Sequence, residues 1–252
     1  MKIKELPLTI ISIIGYIFLN SFCLNKFGST SYITFICNLV ITLILLLIIS
    51  KTKTKEYYGL IKPKEYVRFM YFVPLFIIIF LNFIGGIQIN NTVIEIIFFM
   101  LSMLLIGFIE EIIFRGFLFK MMEKDNLKTA MIVSSLTFGI GHIVNLFNGS
   151  NLIPTLIQII YSVIVGYLFV LIFHKSKSLL PCIITHSLIN ALSIFQTSSP
   201  ISSYISPILL IIISLWYIFV ITNFNKLFYN LNCNYIKKDY KTIAKHLKKK
   251  WL

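Results

Sequence analysis

The chain has 252 residues, of which 58% are hydrophobic and only 13% charged, about half the charged share of an ordinary soluble domain. Its net charge of +14 could point to nucleic acid, but the basic residues collect in alternate loops between apolar stretches. That is a membrane-topology pattern, and no nucleic-acid partner is expected. The four cysteines, Cys23, Cys37, Cys182 and Cys233, make no C-x-x-C pair, so they read as free thiols and not as a disulfide or zinc framework.

Apolar runs of about 18 residues or more are long enough to cross a hydrocarbon core as helices. Eight such spans are expected, at residues 6–24, 32–50, 67–84, 93–119, 129–147, 152–173, 179–195 and 205–224. The predicted fold is all-α, a polytopic bundle of about eight transmembrane helices. The first span follows Lys2 and Lys4 like a signal peptide, but no small-x-small cleavage site follows it, so it reads as an uncleaved helix. Between the second and third spans, Lys51 to Tyr66 is polar, with tyrosines and lysines suited to the headgroup layer. It reads as a loop or short interfacial helix. Thr92 to Glu95 is a capping-box pattern opening the fourth span.

Apart from Lys26 and Arg115, all 23 basic residues lie at the N-terminus, in the loops after spans two, four and six, or in the tail. The positive-inside rule then puts both termini in the cytoplasm of a cell membrane. The tail from Lys237 to Lys250, with Tyr240, Ile243, Leu247 and Trp251 interspersed, reads as a solvated segment lying on anionic lipid. His174 and His246 fall in basic cytoplasmic stretches and read as solvated. Abundant Ile, Lys and Asn fits an AT-rich, low-GC bacterial genome.

Ionisable groups at membrane depth are costly and therefore point to function. Three spans carry them. The fourth holds Glu110-Glu111-Ile112-Ile113-Phe114-Arg115. Glu111 and Arg115 are four apart and can neutralise each other on one helix face, while Glu110 lies about 100° round the helix and is left to face elsewhere. The fifth holds Phe138-Gly139-Ile140-Gly141-His142, whose glycines let a neighbouring helix approach. The seventh holds His186-Ser187-Leu188-Ile189-Asn190, with His186 and Asn190 again four apart. At about 1.5 Å per residue, Glu110, His142 and His186 lie ~14–20 Å from their basic loops, near mid-membrane. The cavity they share is expected to open to the cytoplasm or sideways to lipid. Phe138 reads as packing, and Asn82, Asn145 and Gln158 as helix-packing or interface groups.

A carboxylate and a histidine can take a proton from water, and a second histidine with an asparagine can donate to an oxyanion. Together they describe amide hydrolysis without a covalent intermediate. Alternatively Glu110, His142 and His186 could bind zinc and leave one position open for water. A transporter also places acids and histidines at mid-membrane, but no pair of Gly/Pro-broken spans suggests an inverted repeat.

These three motifs, in this order and in separate spans, resemble those of the CAAX protease and bacteriocin-processing (CPBP, or Abi) family of intramembrane glutamic or metalloproteases. Most specific is the glutamate run continuing through Arg115 into Gly116. The resemblance covers residues 93–195, flanked by N-terminal helices at 1–92 and a last helix with basic tail at 196–252. It implies an intramembrane endopeptidase acting on a membrane-associated peptide or protein, in bacteriocin maturation or self-immunity or in CAAX-type C-terminal processing. It implies that Glu110 activates water with His142 helping to hold it, that His186 and Asn190 stabilise the oxyanion, and that Glu111 and Arg115 brace the site. A divalent metal such as zinc is left open as a cofactor. A non-catalytic immunity or scaffold protein would keep the fold with degraded motifs, and these are intact.

Overall fold

A computed structural model describes residues 5–63 and 72–223. Among them the chain is mostly helical, with a single β pairing at the Ile87–Gln196 bridge. We number the helices α1 (Glu5–Phe27), α2 (Tyr32–Thr52), α3 (Val73–Phe80, prolonged by a 3-10 turn at Leu81–Phe83), α4 (Val93–Met122), α5 (Leu127–Gly141), α6 (Leu152–Ser176), α7 (Leu180–Leu192, prolonged by Ser193–Phe195) and α8 (Ile201–Asn223). Local chemistry sets their ends. Ser31 and Asn126 accept backbone N–H groups at the starts of α2 and α5, and both halves of the Thr92–Glu95 capping box form. Pro74 and Pro181 sit in the first turns of α3 and α7, where a missing N–H costs nothing.

An all-α polytopic membrane bundle is what the chain forms. Six helices are long and apolar enough to span. Two shorter apolar helices, 11 residues at Val73–Phe83 and 16 at Leu180–Phe195, bring the total among the described residues to the expected figure of about eight. For the first of these, residues 64–71 of the expected span and its loop lie outside the described residues. The second fills the expected span 179–195, with Pro181 in its first turn and a 3-10 turn leading to the Ile87–Gln196 bridge.

Helix α4 is the centre of the bundle. Every residue from Ile112 to Phe119 is buried, and that stretch widens into a π-helix. Such widenings are rare and often mark functional sites. The Ser134 hydroxyl of α5 donates to the Phe114 carbonyl at 2.8 Å within it. Around α4, the exposed side chains of α1, α2 and α8, such as Phe18, Leu47 and Phe219, are apolar and suit lipid. Apolar contact gives little drive for association in lipid, so close approach and buried polar contacts hold the helices together. Asn38 of α2 donates to Ser102 of α4 at 2.8 Å.

The lysine-bearing ends of α2, α4, α6 and the start of α5 meet at one end of the bundle. There the segment after α2 is a series of turns, not an interfacial helix, as far as Pro63. Tyr57 donates to the Lys120 carbonyl at 3.3 Å, and Leu179 N–H donates to the Gly59 carbonyl at 2.8 Å. Gly59 has φ +70°, and a Cβ there would stand 2.3 Å from the Phe173 ring, so backbone angle and space both require glycine. His174, expected in solvent, is instead half-buried in the last turn of α6, with no hydrogen-bond partner for its Nδ1. Cys23 and Cys182 are buried free thiols and Cys37 is a half-buried one, as expected. The basic tail, His246 and Cys233 lie outside the described residues.

Candidate active site

Glu110 and Glu111 end the regular α-helical part of α4 immediately before the π segment. Their carboxylates part as the helix geometry predicts. Glu111 is fully buried and accepts from Arg115 Nη1 at 3.1 Å, with the arginine also fully buried. The Arg115 guanidinium lies 4.3 Å from the centroid of the Phe138 ring, a cation–π contact in a dry setting. Glu110 keeps 13% of its side chain exposed and lines a cavity.

His186 joins the two carboxylates. Its Nδ1 is 2.9 Å from Glu111 Oε1 and its Nε2 is 3.4 Å from Glu110 Oε2. A carboxylate only accepts, so the Nδ1 proton belongs to the bond with Glu111, which aims Nε2 at Glu110 and the cavity. This arrangement depends on one helix crossing. At Gly107, one turn before Glu111, a Cβ would stand 2.6 Å from the Ser187 backbone nitrogen of α7. The Ser187 hydroxyl donates to the Leu104 carbonyl at 2.9 Å. Glycine on one helix and serine on the other thus let two backbones meet beside the site.

Helix α5 reaches the site from the other side. Gly139 packs against α6, where a Cβ would stand 2.9 Å from both the Ile159 carbonyl oxygen and the Val163 nitrogen, as the glycine pattern predicts. Gly141 has only ordinary contacts. Phe138 is the packing wedge expected of it: its ring is edge-on to His142 at 5.3 Å and to His186 at 5.6 Å. The regular helix stops at Gly141, and His142 caps it.

Glu110, His142, His186 and Asn190 line one cavity of about 260 Å³, together with Asn20, Asn145, Gln158, Tyr161 and Ser162. Asn145 donates to Gln158 at 2.8 Å, the packing contact expected of them, and both also line this wall. Asn82 does serve packing, donating to the Ile189 carbonyl at 2.7 Å. The Tyr16 hydroxyl of α1 donates to Glu110 Oε1 at 2.7 Å with Tyr16 buried, a contact that sequence reasoning missed. A tyrosine in an apolar span carries no signal of its own; only its place beside Glu110 shows its use.

Among the described residues, no group of three or more His, Cys, Asp and Glu side chains is arranged to hold a metal ion. The zinc expectation for Glu110, His142 and His186 therefore gains no support from the donor arrangement, and the chemistry below uses the side chains alone.

The site is thus a buried acid–base–acid cluster facing a cavity inside the helix bundle. Residues 92–192 match the family described as type II CAAX prenyl endopeptidase Rce1-like, a stretch that takes in all three motifs. The match agrees with the family resemblance that the three motifs carry and supports intramembrane endopeptidase activity in general terms. No curated protein matches the chain.

Proposed function

We propose that the protein is a glutamate-dependent intramembrane endopeptidase that hydrolyses a peptide bond of a membrane-associated peptide or protein. The observation that carries this is Glu110: a partly exposed carboxylate on a cavity wall, oriented by Tyr16 on one oxygen and facing His186 on the other. Glu110 takes a proton from a water held between it and His142, and the resulting hydroxide attacks the scissile carbonyl carbon. The oxyanion forms beside His186 and Asn190 on the cavity wall, and His186 Nε2 and the Asn190 amide both donate to it. Glu110 then returns its proton to the departing amine, leaving a new carboxyl and a new amino terminus.

Glu111 and Arg115 do not touch substrate in this scheme. Glu111 holds His186 through Nδ1, and Arg115 neutralises Glu111. When Nε2 also carries a proton, Glu110, Glu111, Arg115 and His186 balance in charge, which lowers the cost of keeping them in an apolar bundle.

The test is Glu110→Gln, compared with the unaltered protein by mass spectrometry of membrane peptides from expressing cells. Loss of a general base lowers turnover by roughly 10²–10⁴-fold. The expected result is accumulation of uncut precursor with normal membrane insertion. Normal peptide processing by both Glu110→Ala and His142→Ala would overturn the reading.

A further inference from the structure

Two hollows meet at Glu110. Besides the cavity of about 260 Å³, a recess of about 60 Å³ lies between α1, α4 and the turn after α5, and Glu110, His142 and Asn20 line both. A water takes up roughly 30 Å³ in the liquid and needs two to four polar partners to stay buried. The recess therefore has room for about two waters, too little for a peptide segment. Tyr16, Phe114 and Phe138 form much of its remaining wall. At its rim Ser21 and Asn25 of α1 donate to Asn148 Oδ1, at 2.5 and 2.7 Å, and so tie α1 to the turn after α5.

Asn20 stands apart from the other amides there. Asn148 accepts those two bonds, and Asn145 donates to Gln158 at 2.8 Å. Elsewhere in the bundle Asn38 and Asn82 donate to neighbouring helices. The Oδ1 of Asn20 is enclosed, yet it accepts no hydrogen bond from the described residues. Leaving a buried acceptor without a donor is costly, above all in an apolar bundle. Asn20 lies four residues after Tyr16, ~6 Å further along one face of α1. Tyr16 donates to Glu110 Oε1 at 2.7 Å. One face of α1 thus brings a donor to the Glu110 carboxylate and an acceptor to the recess beside it.

We infer that Asn20 is a third group holding the attacking water, which sits in this recess with Glu110 and His142. This rests on the endopeptidase reading for the word attacking, but the water seat does not. Glu110 takes one of the water's two hydrogens, and the other needs an acceptor. Asn20 Oδ1 accepts it, and His142 donates an N–H to one lone pair. The second lone pair is then left to face the larger cavity, where the peptide lies. When Glu110 removes its proton, the hydroxide keeps the hydrogen bonded to Asn20, so its direction holds while the new O–C bond forms. The C–N bond then breaks, and the amine takes the proton from Glu110. Asn20 is in α1, outside the matched stretch 92–192, so the motifs carry no sign of it.

The test compares Asn20→Leu with Asn20→Ala in the full chain, using as substrate the precursor that accumulates with Glu110→Gln. Leucine has nearly the shape of asparagine but no acceptor, and it fills the space. Alanine leaves room for an extra water to accept in place of the amide. The expected result is a fall in kcat of at least about 10²-fold for Asn20→Leu and only about tenfold for Asn20→Ala. KM stays unchanged in both, and the thermal midpoint of Asn20→Leu is no lower than the parent's. A packing role predicts the reverse order, because alanine leaves the larger hole. Parental kcat in Asn20→Leu, a rise in KM alone, or a greater loss with alanine than with leucine overturns the inference. A structure of the full chain at a resolution that shows water tests it without substrate. Ordered water touching Glu110, His142 and Asn20 is expected, and a recess with no water on Asn20 overturns it. If that water is present while Glu110→Gln leaves processing intact, the endopeptidase reading fails alone; if processing depends on Glu110 but Asn20→Leu turns over like the parent, only this inference fails.

Discussion

Adjacent carboxylates at Glu110 and Glu111 meet one imidazole from its two nitrogens, and their surroundings give them different work. Glu111 is fully buried with Arg115, and removing one partner of a buried ion pair costs roughly 3–5 kcal/mol because the other charge is left unpaired. Arg115→Met is therefore expected to lower the thermal unfolding midpoint in detergent strongly, whereas Glu110→Gln, at the cavity wall, leaves that midpoint nearly unchanged. Tyr16 acts through Glu110. A hydrogen bond to a charged group contributes about 1.5–3 kcal/mol. Tyr16→Phe is expected to reduce turnover about tenfold or more with little change in apparent substrate affinity, read as a split between kcat and KM. Equal loss in both constants would show that the hydroxyl does no more than support the fold. The cavity residues proposed to work, Glu110, His142, His186 and Asn190, stand out in the sequence because charged and amide groups are rare in apolar helices. Tyr16 does not, since a tyrosine there is compatible with any packing role.

At the scale of the helix, two backbone features place these side chains. The crossing of α4 and α7 at Gly107 and Ser187 is too close for a Cβ, so Gly107→Ala must push α7 away and draw His186 from Glu110. Overpacking of this kind costs about 1–3 kcal/mol. The expected outcome is near-complete loss of cleavage by Gly107→Ala, with Gly15→Ala, which has open space around it, behaving as the parent in the same assay. The π segment is the second feature. Ser134→Ala removes the hydroxyl bonded to the Phe114 carbonyl and leaves a buried acceptor unpaired, a cost of about 1–3 kcal/mol readable as a lowered melting point. The spacing of Glu111 and Arg115 predicted their pairing correctly, since the i, i+4 contact survives the change from α to π. Nothing in the residue pattern foretold the π turn itself, because local widening is decided by the helices packed around it and not by side-chain periodicity.

For the molecule as a whole, the matched stretch 92–192 holds every motif, yet the cavity is not closed by that stretch alone. Helix α1 contributes Tyr16 as well as Asn20 and Leu24, and α8 contributes Leu210. A chain shortened to begin at Tyr32 is expected to keep all motif residues and insert, but to lose cleavage in the membrane-peptide assay. Activity equal to the full chain would show that α1 is dispensable. The basic loops likewise gather into one end only in the assembled bundle, where Lys53, Lys120 and Lys124 all lie within 6 Å of the Tyr57 ring.

By itself the sequence determined the membrane-bundle class, the alternation of basic loops, the three motifs and the pairing of Glu111 with Arg115. These are properties of composition and of positions a few residues apart on one helix, where period and charge suffice. Tertiary structure alone decided that His186 bridges both glutamates, that Tyr16 reaches Glu110 and that α4 widens into a π turn. Each of these depends on where separate helices cross, and in an apolar solvent the crossings are set by the fit of small residues such as Gly107 and Gly139 against a particular neighbour. That fit is not written into either helix alone.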